Sequence, residues 1–168
     1  MIRKELGDIA GLDGDIAEVG VWKGATAVVM RSAAPGRILH LYDTFKGIVG
    51  ADPSVDVHGN GDFGDTSVEA VKKALGDCSK VEFHVGTFPV TFTEQETRFC
   101  FVYSDTDTYF GTKATLEVFP PLMLPGGRIM FDDYEWKGCP GVKKAIDEFL
   151  ATHTLVTNID RSQFTIRF

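Results

Sequence analysis

Short runs rich in β-branched and aromatic residues alternate along this chain with runs of helical period, and the alternation is the first guide to its fold. Residues 16–22 read as a strand. A helix follows over 23–34, stopped by Pro35-Gly36. Residues 37–43 form a second strand, and a polar, glycine-rich stretch occupies 46–65. Thr66 or Ser67 then caps a helix with Val68, Val71 and Leu75 on one face, ended by Gly76. Residues 81–85 are a third strand. Residues 99–105 are a fourth, almost wholly apolar, as a central parallel strand must be. A helix over 112–124 is broken by Pro120-Pro121, Gly126-Gly127 is a turn, and 128–133 is a fifth strand. Residues 142–153 form an amphipathic helix with Val142, Ala145, Ile146 and Phe149 on its apolar face. Residues 155–159 and 164–168 close the chain as a tight hairpin.

This order predicts one α/β domain over residues 1–168. It is a doubly wound, mostly parallel, seven-stranded sheet with a C-terminal antiparallel hairpin. The stretch over 46–65 is about twenty residues long. Structureless loops beyond about 12–15 residues are usually functional or disordered, so this one is read as a cover over substrate or cofactor.

The net charge of −7 and the lack of a basic stripe argue against nucleic acid as partner. No run approaches the roughly 20 apolar residues of a membrane span, and the first residues lack a signal peptide's apolar core. The expected location is the cytoplasm. Cys78, Cys100 and Cys139 are odd in number and widely spaced, with no C-x-x-C pair, which argues against both a disulfide framework and a zinc site. Cys100 reads as a core residue. Cys139 sits in a loop with nothing beside it in sequence to mark a nucleophile. His40 and His84 fall within strands, His153 near a helix C-terminus, and only His58 in the long loop, with no metal-ligand spacing among them.

In an open α/β sheet, ligands bind beyond the carboxyl ends of the strands. In this chain those ends carry Glu18, Gly20, Trp22 and Gly24, then Asp43, then Gly86-Thr87-Phe88, then Asp105-Thr106-Asp107, then Asp132-Asp133. The first turn fits neither G-x-G-x-x-G nor a P-loop, so a pyrophosphate cofactor is disfavoured. An acid at the second strand's end suits ribose hydroxyls, and Phe45 and Phe88 are candidates either to flank an adenine or to fill the core. Asp105, Asp107, Asp132 and Asp133 would repel one another without a counter-charge. A hard cation such as Mg²⁺ answers that need and lowers the pKa of a hydroxyl held against it. One of the four acids, or His58, would then accept the proton. Two rivals remain open at this point. One is a metal-dependent hydrolase or sugar-modifying enzyme using the same acids. The other is a non-catalytic binding module.

Several segments together resemble the macrocin O-methyltransferase (TylF-like) family. They are Glu18-Val19-Gly20-Val21-Trp22-Lys23-Gly24-Ala25, Leu41-Tyr42-Asp43-Thr44-Phe45-Lys46-Gly47-Ile48, Asp105-Thr106-Asp107-Thr108-Tyr109 with Thr112, and Gly126-Gly127 with Phe131-Asp132-Asp133-Tyr134. The resemblance implies a class I methyltransferase (Rossmann-like) fold, S-adenosylmethionine as cofactor, and Mg²⁺-dependent methyl transfer to a hydroxyl of a small-molecule acceptor, a sugar or a phenol. By match, Glu18 and Gly20 would line the methionine end of the cofactor, Asp43 its ribose, and Thr87-Phe88 its adenine. Trp22, Gly24, Thr44, Phe45, Gly86 and Asp105 complete the implied cofactor set. Asp105, Asp132 and Asp133 would be metal ligands, and Asp107 the general base. The family's members carry a longer segment before the first strand, and Ser104 stands where an apolar residue is expected. The apolar closing hairpin offers an edge for a homodimer.

Overall fold

The computed structural model describes residues 1–93 and 96–168. In chain order its elements are α1 (Ile2–Asp8), β1 (Asp15–Val19), α2 (Ala25–Ala33), β2 (Leu39–Asp43), α3 (Val68–Leu75), β3 (Val81–Val85), β4 (Phe99–Ser104) and α4 (Tyr109–Val118). A 3₁₀ turn (Pro120–Leu122), β5 (Met123–Phe131), α5 (Pro140–Leu150), β6 (Val156–Asp160) and β7 (Gln163–Arg167) follow. The sheet order is β3-β2-β1-β4-β5-β7-β6. All pairings from β3 to β5 are parallel, and β7 runs antiparallel to both β5 and β6. The expected doubly wound sheet with a closing hairpin is the observed architecture.

Alternation along the strands divides the core into two layers. Ala17 and Val19 face a cluster with Tyr42, Phe99 and Val102, roofed by Ala114 and Leu116 of α4 and Val142 and Ile146 of α5. Ile16 faces the opposite cluster with Leu39, Leu41, Phe101 and Tyr103, roofed by Leu6 of α1, Ala27 and Met30 of α2, and Val71 of α3. Every residue of β4 is buried, because it lies mid-sheet with helices over both faces.

The structure departs from the expected elements at α1, at α4 and at the start of β5. Residues 2–8 form α1, whose Leu6 and following Ile9 bury against the α2 layer, while Arg128 of β5 pairs with Glu5 and Asp8. That ion pair joins residues more than a hundred positions apart, so no local pattern announces it. The helix expected over 112–124 instead starts at Tyr109, capped by Thr108 accepting from Gly111 N, and ends at Val118. Gly126-Gly127 lies inside β5 at a register shift against β4, not in a turn that precedes the strand. Glycine suits that irregularity, since Gly126 has φ +86°.

Winding runs outward from β1 to β2 and β3, then restarts at β4 on β1's other side. The connections that leave β1 and β4 therefore part to opposite sides and open a crevice at the switch point.

Candidate active site

That crevice opens into a cavity of about 480 Å³, lined from every strand end on the parallel half of the sheet. β1 supplies Glu18 and Gly20 and leads into Trp22, β2 supplies Asp43 and Thr44, and Gly86-Thr87-Phe88 follow β3. Asp105 and Asp107 follow β4, and Asp132 and Asp133 follow β5. Among the described lining residues none is lysine or arginine, and His58 is the single residue able to carry positive charge.

The first turn is built by close approach. A Cβ on Gly20, which has φ +86°, would sit 1.9 Å from the Asp105 carbonyl oxygen. Only glycine lets β1 and β4 end this close together. Asp43 then fixes the turn. Its Oδ2 accepts from Val21 N (2.7 Å) and Trp22 N (2.8 Å), and its Oδ1 from Phe45 N (2.6 Å). Two of the sequence candidates stand behind this wall. Gly24 is the left-handed N-cap of α2 packed against Val71, and Phe45 lies in the core beside Phe83. Phe88 does line the cavity, with its other face stacked on Phe119.

Glu18 is almost fully buried, and its Oε2 has no hydrogen-bond partner. Burial, reinforced by Asp105 and Asp43, pushes its carboxyl well above the usual range. Burial and the charges of Asp107, Asp132 and Asp133 raise Asp105 similarly. Asp107 is raised to about 6, by burial first. The Cys139 thiol opposes this by donating to it (3.4 Å), and also donates to Asp133 (3.6 Å). Burial and the Asp132 charge raise Asp133.

Carboxylate oxygens of Asp105, Asp107 and Asp133 converge within 4.8 Å of one another. Asp132 is arranged differently: its Oδ2 accepts from the Tyr103 hydroxyl (2.5 Å) and its Oδ1 from Asp133 N (3.0 Å). The acid triad that converges is thus not the one the sequence suggested. Asp132 still lines the cavity, and each of its oxygens keeps a lone pair.

Asp107 and Asp133 both have φ +58°, and Trp22 and Phe63 on the cavity wall are also left-handed. Each such residue costs about 1–3 kcal/mol, and strain of this kind gathers where geometry serves a site.

The long loop forms the outer wall through Gly47, Ile48, Val49, His58 and Phe63. Asp65 ties its end to the first turn, accepting from Trp22 Nε1 (2.7 Å) and Lys23 Nζ (2.5 Å). Buried Asp56 ties its middle to α4, accepting from Tyr109 N (2.8 Å). Sequence reading missed Asp56, and it missed the exposed aromatic rim of Phe110 and Trp136. It also left Cys139 in an open loop, whereas the thiol is buried between two acids. Cys-Pro at a helix start was the available signal, since Pro140 opens α5 and turns Cys139 inward.

A glycine turn, an acid ending β2 and an acidic cluster at the β1–β4 switch of a seven-stranded 3-2-1-4-5-7-6 sheet define the class I methyltransferase fold. The chain belongs to the macrocin-O-methyltransferase (TylF) family, whose model matches residues 7–167. Demethyldecarbamoylnovobiocin O-methyltransferase of Streptomyces niveus is 30% identical over 169 residues, covering 89% of this chain and 64% of that protein. The 8-demethyl-8-(2,3-dimethoxy-alpha-L-rhamnosyl)-tetracenomycin-C 4'-O-methyltransferase of Streptomyces olivaceus is 31% identical over 148 residues, covering 77% of this chain and 56% of that protein. The chain thus spans less than two thirds of the length of these two curated relatives. The solved structure of the O-methyltransferase NovP superposes with a TM-score of 0.81 at 26% identity, covering 99% of this chain and 77% of that one. The calicheamicin methyltransferase CalS11 superposes at 0.82 with 23% identity, over the same shares of the two chains.

Proposed function

We propose that this protein is an S-adenosylmethionine-dependent O-methyltransferase, assisted by Mg²⁺, acting on a hydroxyl of a small molecule such as a sugar or phenol. One observation carries the reading. The cavity gathers Glu18, Asp43, Asp105, Asp107, Asp132 and Asp133 with no lysine or arginine among its described lining residues. Burying that much acid without cations is costly. A sulfonium, an ammonium and a divalent ion supply the missing positive charge.

The residues fit both groups. Glu18 lines the cavity near the end of β1 with its Oε2 unpartnered, and an amino-acid ammonium would find an acceptor there. Asp43 is held rigid by three backbone N–H groups and retains lone pairs for ribose hydroxyls. Thr87 and Phe88 offer an apolar border for adenine. Asp105 and Asp133, with Asp132 beside them, form an oxygen donor set of the kind hard cations take. S-adenosylmethionine supplies an electrophilic methyl group, and Mg²⁺ acidifies a hydroxyl held against it.

Asp107 is the residue that takes the acceptor's proton. It sits beside the acid pair with its carboxyl raised to about 6, so it is deprotonated near neutrality yet basic enough to work. His58 and Phe63 of the loop, with Phe110 and Trp136, wall the approach and limit water. The rhamnosyl group in the name of the Streptomyces olivaceus relative favours a sugar-bearing acceptor. Residues 1–168 act as one domain in this reading, with no nucleic-acid partner.

Calorimetric titration of S-adenosylhomocysteine, with and without Mg²⁺, tests the reading. One-site binding is expected, together with methyl transfer that ceases on chelation. Asp107→Asn is expected to lower kcat by about 10²–10⁴-fold while leaving S-adenosylhomocysteine affinity unchanged. A response to Mg²⁺ alone would point to the hydrolase, and no response to either ligand to a binding module.

A further inference from the structure

Away from the cavity, three strands bring two imidazoles and two carboxylates together at the sheet's β3 edge. In the β2–β3 register His40 lies opposite Glu82, and Tyr42 opposite His84, so all four side chains share a face. His40 Nδ1 is 3.1 Å from His84 Nε2 and 3.6 Å from Glu82 Oε2. One donor atom from each of His40, Glu82 and His84 lies within 4.8 Å of the others. On the far side of the His40 ring, Nε2 is 3.3 Å from Asp15 Oδ2 at the start of β1. None of these residues lines the cavity.

We propose that His40, Glu82 and His84 form a binding site for one transition-metal cation of the Zn²⁺ class. Metal–nitrogen distances of about 2.0–2.1 Å in tetrahedral geometry put neighbouring donors roughly 3.3–3.4 Å apart. The two separations at His40 straddle that value. Asp15 is the second, independent mark. A carboxylate on the outer ring nitrogen of a ligating histidine fixes the tautomer and leaves the inner nitrogen's lone pair for the metal. Two imidazoles and one carboxylate select Zn²⁺ or its neighbours over Mg²⁺, which prefers oxygen donors only.

His40 is 2% exposed, whereas the Glu82 side chain is 53% exposed. The site is therefore anchored in the core and open at its rim, with an entry path and a fourth position for water. A cation there would clamp edge strand β3 to β2 just before Gly86-Thr87-Phe88. The site stands or falls independently of methyl transfer.

The test is Zn²⁺ uptake by chelator-treated protein held in excess Mg²⁺, which keeps the acidic cluster occupied. Wild type is expected to bind one equivalent of Zn²⁺. At a hundredfold excess over the dissociation constant its thermal midpoint should rise by roughly 5–10 °C. Co²⁺ in place of Zn²⁺ should give the intense visible bands of a four-coordinate site. His84→Ala and the surface variant Glu82→Gln should each lose the high-affinity equivalent, and Asp133→Asn should keep it. Because Glu82 is exposed, its variant reads the site even if His84→Ala folds poorly. Equal Zn²⁺ uptake by wild type and Glu82→Gln, or an unmoved midpoint in wild type, would overturn the proposal.

Discussion

Glu18 holds a position that no structural need explains. It is buried, its Oε2 is unpartnered, and Asp105 and Asp43 add repulsion to the cost of burial. Burial and the two neighbouring acids disfavour its charged form, and a cationic ligand opposite would favour it. Glu18→Gln keeps the shape and removes the charge. A charge-assisted hydrogen bond exceeds a neutral one by about 1–2 kcal/mol. S-adenosylhomocysteine affinity should therefore fall about 10-fold in calorimetry, with a thermal midpoint equal to or above wild type. A lower midpoint at unchanged affinity would make Glu18 a structural residue. Glu18 was legible in the sequence, because an acid two residues before a glycine at a strand's end points at the crevice whatever else the fold does. Cys139 and the His40–His84 pair were not. Their roles arise between strands and loops that only tertiary structure brings together, and no periodicity carries that information.

At the scale of elements, the strands were legible because their burial patterns are local: β4 is apolar throughout and β2 is buried on both faces until Asp43. The α1 helix was not, since what holds it, Leu6 in the core and Arg128 on Glu5 and Asp8, lies across the molecule. The loop over 46–65 was recognised as a cover by its length alone, but its anchors were invisible. Asp56 is the internal anchor. It is buried, accepts from Tyr109 N at the first residue of α4, and also accepts from Asp52 N within its own loop. Asp56→Ala removes the acceptor of two part-buried backbone N–H groups, at about 0.5–1.5 kcal/mol each. The loss should be local, because the sheet has no share in those bonds. Limited proteolysis should cut within 46–65 at least tenfold faster, while the urea midpoint of the sheet shifts much less. Parallel changes in both would mean that the loop unfolds only with the whole domain.

Across the whole molecule, the acidic cavity ties stability to pH and to cations. The folded protein holds Asp107 at about 6 and pushes Glu18 and Asp105 well above the usual carboxylate range. In the unfolded chain the same groups titrate near 4. Between those values the folded state keeps protons that the unfolded state has lost, so stability contributed by these groups is present at low pH and falls as pH rises. For Asp107 alone the loss is roughly 2–3 kcal/mol from about pH 4 to beyond pH 6. Mg²⁺ held by the cluster, as proposed above, would replace protons on Asp105, Asp107 and Asp133 with a charge the acids can share, and would bind more strongly as they ionise. The difference in thermal midpoint with and without Mg²⁺ should accordingly grow as pH rises through the Asp107 range near 6. Taking the difference at each pH cancels the exposed acids, whose titration Mg²⁺ does not touch. An Mg²⁺ effect that is flat across this range would place the cation outside the cluster. A rising effect that vanishes in Asp105→Asn would place it among the acids that end β4 and β5.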